Sequence, residues 1–252
     1  MSGAPLVLVH PTADLLAQAG AARLLLAVQD AQAARGHAHL VLTGGGLGSG
    51  VLAAAAAHPL LALVDWPRVQ LWWGDERFLP TGHPDRNETQ NRAALLDDLP
   101  LDPANVHAIA GPDRCADPDS SARLYAAALS AAAPAGGWTP AFDVLLLGMG
   151  PDGHVCSLFP AHPALEVADR PTCAVPDSPK PPPQRVTMTF PALARARHTC
   201  VLVAGRDKAA AVARALSGAD AALTPAAIVR GTESTRWLVD VAAAADLPGA
   251  TG

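Results

Sequence analysis

Asp152 and His154 stand two residues apart in FDVLLLGMGPDGHVCSLFP (142–160), where an apolar run meets a turn with glycines at 148, 150 and 153. Imidazole titrates near neutrality, so His154 has the chemistry of a proton carrier, and a carboxylate beside it can orient the ring. Glycines let such a turn bend tightly and approach a ligand. The carboxyl end of a buried strand is also where α/β sheets bind their ligands. Two other readings compete. GMGPDG fits the G-x-G-x-x-G turn of a dinucleotide fold with Asp169 as the ribose carboxylate, but that unit needs a long helix and a second strand, and Pro160 and Pro163 interrupt the span. A histidine can also be purely structural; three glycines and an aspartate at a strand end favour function here. Cys156 invites a Cys–His nucleophile, yet no third partner is visible, and a small packing residue is the simpler reading.

A second constellation is LTGGGLGSG (42–50), followed by an alanine-rich stretch. Strand, glycine turn and helix in that order aim free amides and a positive dipole end at an anion. A structural turn needs one or two glycines, whereas here Gly44, Gly45, Gly46, Gly48 and Gly50 crowd together. No Lys-Ser/Thr follows, so this is not a Walker loop, and the anion expected is a small metabolite's phosphate. Thr43 and Ser49 offer the nearby hydroxyls. In WWGDERFLP (72–80), Asp75, Glu76 and Arg77 fit either substrate orientation or a solvated ion-pair cluster, and both readings stay open. Arg185 and Lys208 are candidate phosphate cations, Arg185 as a bidentate fork and Lys208 as a point charge, although each taken alone also fits surface solvation. Nine histidines include the pair His37 and His39 but no metal-ligand spacing, so a metal-independent site is expected.

The elements that must position these residues alternate along the chain, apolar β-branched and leucine-rich runs with alanine-rich ones, as in α/β proteins. The pattern predicts strands over 6–10, 39–43, 69–73, 106–109, 142–147, 185–189, 199–204 and 237–240. Helices are predicted over 12–35, 48–57, 87–98, 119–133, 207–216 and 241–245. Thr12 can cap the first helix and Gly36 end it. Residues 176–183, rich in proline, read as a semi-rigid loop, with too little chain after it for a confident second domain. The 252 residues, half of them apolar, are therefore expected to form one domain, 1–252. A net charge of −5 without basic runs argues against nucleic-acid binding. No apolar run is long enough for a membrane span. Four cysteines without a C-x-x-C pair, and no signal sequence, predict reduced thiols and a cytoplasmic protein.

Taken in order, LTGGG, WGDERFLP, DRNETQNRAALL, LLLGMGPDGHVCSLFP, QRVTMTF and the Lys208 segment resemble the 6-phosphogluconolactonase family over most of the chain, DGHVCSLFP most specifically. The resemblance implies a Rossmann-like α/β domain of the sugar-phosphate isomerase and deaminase type: an open, mostly parallel twisted sheet with helices on both faces. It implies hydrolysis of 6-phospho-D-glucono-1,5-lactone, the second step of the oxidative pentose phosphate pathway, with no metal or organic cofactor. The partner is then a small phosphorylated sugar lactone, and the protein a monomer or small homo-oligomer. On this reading His154 is the base, Asp152 its orienter or a sugar ligand, and Arg77, with amides of the 148–153 turn, stabilises the oxyanion. Thr43, Gly44, Gly45, Gly46, Asp75, Glu76, Asn87, Gly150, Gly153, Arg185 and Lys208 complete the implied substrate site. The rival is the glucosamine-6-phosphate deaminase family, whose D-G-H-I-A-F-N-E pattern ends in a glutamate where this chain has Phe159, and whose phosphate loop has Ser-Thr-Pro where this chain has Gly46-Leu47-Gly48. A noncatalytic sugar-phosphate sensor on the same fold would need a DNA-binding element, and no basic helix-turn-helix precedes the first strand.

Overall fold

In the computed structural model, which describes residues 4–248, the Thr12 hydroxyl accepts from Leu15 N at 3.2 Å and opens α1 (Ala13–Arg35). Gly36, at φ +78°, closes the same helix with its N–H on Gln32 O. A left-handed residue at that point costs glycine nothing and any other residue about 1 kcal/mol or more. The remaining helices are α2 (Gly45–Ala56), α3 (Asn87–Ala94), α4 (Pro118–Ala131), the single-turn α5 (Phe190–Leu193) and α6 (Ala209–Leu216).

The strands are β1 (Leu6–His10), β2 (Ala38–Leu42), β3 (Val69–Trp73), β4 (Asp75–Arg77), β5 (Val144–Gly148), β6 (Thr172–Val175), β7 (Arg185–Met188), β8 (His198–Val203) and β9 (Ser234–Asp240). Six of them form a wholly parallel sheet in the order β1-β9-β8-β5-β2-β3. Val144 to Leu147 and Thr199 to Val203 are buried without alternation, so both faces of the central strands are covered, as in α/β folds. One apolar core runs from Leu16 in α1 to Ala244 and includes Trp72, Trp73 and Trp237. β2 has β3 on one side and β5 on the other, so the chain direction diverges there and a crevice opens at their carboxyl ends.

β3 continues through Gly74 into β4. Gly74 N donates to Leu42 O and Met188 N to Gly74 O, which ties a small antiparallel sheet, β4-β7-β6, to the carboxyl edge of the large one. Tyr125 on α4 brackets Trp73 through its hydroxyl, accepting from Trp73 N at 2.9 Å and donating to Trp73 O at 3.0 Å. Trp73 Nε1 donates to Asn91 Oδ1 at 2.8 Å, and Asn91 Nδ2 donates to Thr43 O at 3.2 Å. α3 is thereby fastened to the end of β2.

Several elements differ from the sequence expectation. The strand expected over 106–109 is a single bridge from Val106 to Leu71. Its next carbonyls are taken by side chains instead of a ladder: Ile109 O accepts from Arg86 and Ala110 O from Ser121. β4 and β6 were not anticipated; they are three and four residues long and exist by pairing with β7. The helix expected over 241–245 is a turn, and the one over 87–98 breaks at Leu95 (φ −164°) into α3 and a short 3-10 turn. The segment 207–216 begins as a 3-10 turn, Arg206–Lys208. α2 starts at Gly45 and not at 48, so the glycine run forms its first turn. Among the described residues no helix is long and apolar enough to cross a membrane.

Candidate active site

The crevice at the β2 and β5 ends is a cleft of about 190 Å³ lined by Thr43 to Gly48, Asp75, Arg77, Asn87, Gly148 to Gly150, His154, Cys156, Arg185, Leu202 and Lys208. Thr43 joins its two walls, its hydroxyl accepting from Gly148 N at 3.3 Å. Gly44 is the N-cap of α2 and supplies no capping side chain, so the amides of the first turn face the cleft with little competition; Gly45 N reaches only Gln90 Oε1, at 3.4 Å. A side chain at 44 would overlap the Asn87 amide, whereas a Cβ at Gly45 or Gly46 would meet nothing. Asn87 Nδ2 donates to Asp75 O at 2.8 Å, and its buried Oδ1 has no partner.

On the opposite wall, Gly150 N donates to His154 O and Gly153 N to Gly150 O, closing the turn after β5. The His154 ring lies over Gly150, where any Cβ would overlap it. Gly153 sits at φ +88° with Thr224 against its open face. Nδ1 of His154 is 2.5 Å from Asp152 Oδ1. An ionised carboxylate only accepts, so Nδ1 carries the hydrogen and Nε2 is left with the lone pair. Burial acts to raise the Asp152 carboxyl, but the His154 hydrogen bond and the charges of His154 and Lys180 outweigh it and hold the carboxyl well below the usual range. Phe159 backs the imidazole, ring centroids 4.6 Å apart. Cys156, at φ +51°, also lines the cleft; burial, then Asp75, pushes its thiol well above the usual range, which opposes the thiolate that a nucleophile needs.

Glu76 and Arg185 differ from expectation. Glu76 is not part of a solvated cluster: fully buried and outside the cleft lining, it accepts from the amides of Arg77, Asn87 and Glu88 at 2.7–2.8 Å. It caps α3, with Arg86 3.8 Å away. Burial lifts its carboxyl to about 7, against the opposing pull of Arg86 and the three amides. Arg185 lines the cleft, but its Nε donates to Pro182 O and its Nη2 to Lys180 O and Pro181 O, which leaves only Nη1 toward the cleft. The two-pronged phosphate grip expected of it is used on backbone instead. Asp75 accepts from Ser157 Oγ at 2.6 Å and lies 4.0 Å from Arg185 Nη1. Arg77 lines the cleft while donating to Asp85 O, and its buried Nε has no partner. Lys208, the N-cap of α6, lines the cleft with no carboxylate within salt-bridge distance among the described residues, and burial lowers its ammonium from the usual range.

Sequence reasoning missed Lys180, whose Nζ is 3.2 Å from Asp152. The available signal was a lone lysine in a proline run that cannot be helical. No group of three or more His, Cys, Asp or Glu side chains among the described residues is disposed to hold a metal ion.

Residues 11–237 match the model of the family described as glucosamine-6-phosphate isomerases/6-phosphogluconolactonase. The chain belongs to that family. It is 52% identical over 252 residues to a 6-phosphogluconolactonase of Streptomyces coelicolor, covering 98% of this chain and 97% of the relative. The solved 6-phosphogluconolactonase of Trypanosoma brucei superposes with a TM-score of 0.82 at 26% identity, over 98% of this chain and 100% of that one. A monomeric glucosamine-6-phosphate deaminase shares the fold alone, with a TM-score of 0.79 at 19% identity over 96% and 99% of the two chains. In this chain the buried Phe159 backs the dyad histidine with an apolar ring, so no further carboxylate stands at that position.

Proposed function

We propose that this cleft hydrolyses 6-phospho-D-glucono-1,5-lactone to 6-phospho-D-gluconate, and so serves the oxidative branch of the pentose phosphate pathway. The observation that carries the reading is the pairing of two unlike walls, the Asp152–His154 dyad on one and the uncapped glycine start of α2 on the other, with the Lys208 cation in the lining of the same cleft. One wall suits proton transfer, the other a phosphate. The similarity to the 6-phosphogluconolactonase of Streptomyces coelicolor supports the same substrate.

In the proposed mechanism Nε2 of His154 takes a proton from water as the water oxygen attacks the lactone carbonyl. Asp152 stabilises the imidazolium and fixes the ring. Arg77 stabilises the developing oxyanion; the turn amides expected to help it are spent inside the protein, Gly148 N on Thr43, Gly150 N on His154 O and Gly153 N on Gly150 O. When the C1–ring oxygen bond breaks, the leaving oxygen takes the proton back from His154, and the product acid ionises. Phosphate rests on Gly44, Gly45 and Gly46 with Lys208, supported by Asn87. The chain acts as one domain, in a cytoplasm where its four cysteines stay as free thiols. A direct assay tests this: hydrolysis of fresh phosphogluconolactone above the uncatalysed rate, and no ammonia from glucosamine 6-phosphate at the same enzyme concentration. Ammonia release without lactone hydrolysis would overturn the assignment.

A further inference from the structure

The loop 176–183 enters from β6 and leaves into β7, which pair from Val175↔Arg185 onward, so its two ends are pinned together. Within it, Ser178 Oγ accepts from Lys180 N at 3.2 Å and donates to Lys180 O at 2.9 Å, and Ser178 N donates to Pro183 O at 2.9 Å. Arg185 adds three donated bonds to the carbonyls of residues 180, 181 and 182. A loop tied this many times presents one side chain in a defined place. That side chain is Lys180, whose Nζ is 3.2 Å from each oxygen of Asp152 and 3.2 Å from His154 Nδ1.

An ammonium has donors only, and Nδ1 cannot give its hydrogen to Asp152 while receiving one from Lys180. With Asp152 at 2.5 Å from Nδ1, the lysine hydrogens go to the carboxylate, and the 3.2 Å approach to Nδ1 holds a positive charge beside the N–H edge of the ring. Like Asp152, Lys180 does not itself line the cleft, and its charge also acts on Lys208, which does. The other charged groups facing the ring are Asp152, Arg185 against the Phe159 face, and Asp75, Arg77 and Lys208 in the cleft lining.

We propose that Lys180 is a positioning residue of the hydrolysis, clamping Asp152 against the Nδ1 edge and opposing protonation of His154 before water attacks. The proposal rests on the lactonase reading above.

The test compares Lys180→Met and Lys180→Arg with the unmodified protein. The kcat and KM for phosphogluconolactone are measured across pH 5–8, and the His154 ring-proton resonance is followed by NMR over the same range. In Lys180→Met the acid limb of kcat and the His154 titration should both move up by about 0.5 to 1 pH unit, the effect of one charge at this distance in a partly solvated site. KM should stay within about twofold, since the lysine does not touch substrate. Lys180→Arg should return both limbs toward the unmodified position. Unmoved limbs in Lys180→Met, a loss expressed in KM alone, or an arginine variant that behaves like the methionine one would each overturn the proposal. Should the unmodified protein hydrolyse no lactone, the functional reading fails first, and the catalytic role of Lys180 with it; an active protein with an unmoved His154 titration sinks the Lys180 role alone.

Discussion

Phe159 packs on His154 with ring centroids 4.6 Å apart and planes at 37°, and Arg185 Cζ lies 5.6 Å from the centre of the same phenyl ring. One buried apolar side chain thus steadies the dyad histidine and the arginine that holds the Lys180 loop. Sugar-phosphate deaminases of the resembling pattern place a glutamate there. Phe159→Glu should therefore lose lactone hydrolysis without gaining ammonia release from glucosamine 6-phosphate, because a charge would enter a buried site between groups arranged for attack at C1. Both activities are measured on the same preparation; robust deamination by the variant would show that this position alone separates the two chemistries.

Replacing His154 with alanine should lower kcat by on the order of 10² to 10⁴, the usual share of acid–base catalysis, with KM little changed. The fold should survive, since the ring is held at the cleft edge and not in the core. Stopped-flow hydrolysis corrected for the spontaneous rate, with a melting curve beside it, decides the point: near-normal turnover removes His154 as the base.

Gly44→Ala and Gly46→Ala separate packing from binding within the first turn of α2. A methyl at 44 collides with Asn87, whose amide is tied to Asp75 O at 2.8 Å, so urea unfolding should report a loss of about 1–3 kcal/mol. A methyl at 46 meets no atom of the protein and improves helix propensity, so stability should hold or rise by up to about 1 kcal/mol. It would nevertheless stand in the cleft, and KM for the phosphorylated lactone should rise. Equal stability losses in the two variants would contradict this division.

Lys208→Ala should weaken 6-phosphogluconate binding by roughly 1.5–3 kcal/mol, the scale of a hydrogen bond to a charged group. Calorimetry on the product, and KM on phosphorylated and unphosphorylated gluconolactone, give the readout. The effect should be much smaller for the unphosphorylated substrate; a loss common to both means the lysine does not read phosphate.

Glu76 predicts a pH dependence of stability. Its carboxyl is raised from 4.5 to about 7 in the folded protein, so between those values the folded state holds a proton that the unfolded state has released. The stability it contributes is complete below about pH 4.5 and is lost as pH rises through about 7. His39, lowered from 6.5 to about 4 mainly by burial, has the opposite slope over pH 4–6.5 and must be held constant. The difference in urea-unfolding free energy between the unmodified protein and Glu76→Gln should therefore shrink from pH 5 to pH 7.5. A difference that stays level across this range would mean that Glu76 is ionised throughout.

The α/β alternation, both ends of α1 and the Asp152–His154 spacing are legible in the sequence alone, because each rests on a signal inside one short window: hydrophobic periodicity, a Thr cap, a left-handed glycine, two side chains on one turn. Tertiary structure decided the rest. β4 and β6 have too few residues to signal themselves and exist by pairing with β7. Glu76 became a helix cap because its carboxylate meets amides 11 and 12 residues away. Arg185 spends its fork on the 180–182 carbonyls, and Lys180 reaches a carboxylate 28 residues back in the chain. Such contacts depend on how the crossover connections bring the β5 turn and the small sheet to one edge, and no local window of sequence contains that geometry.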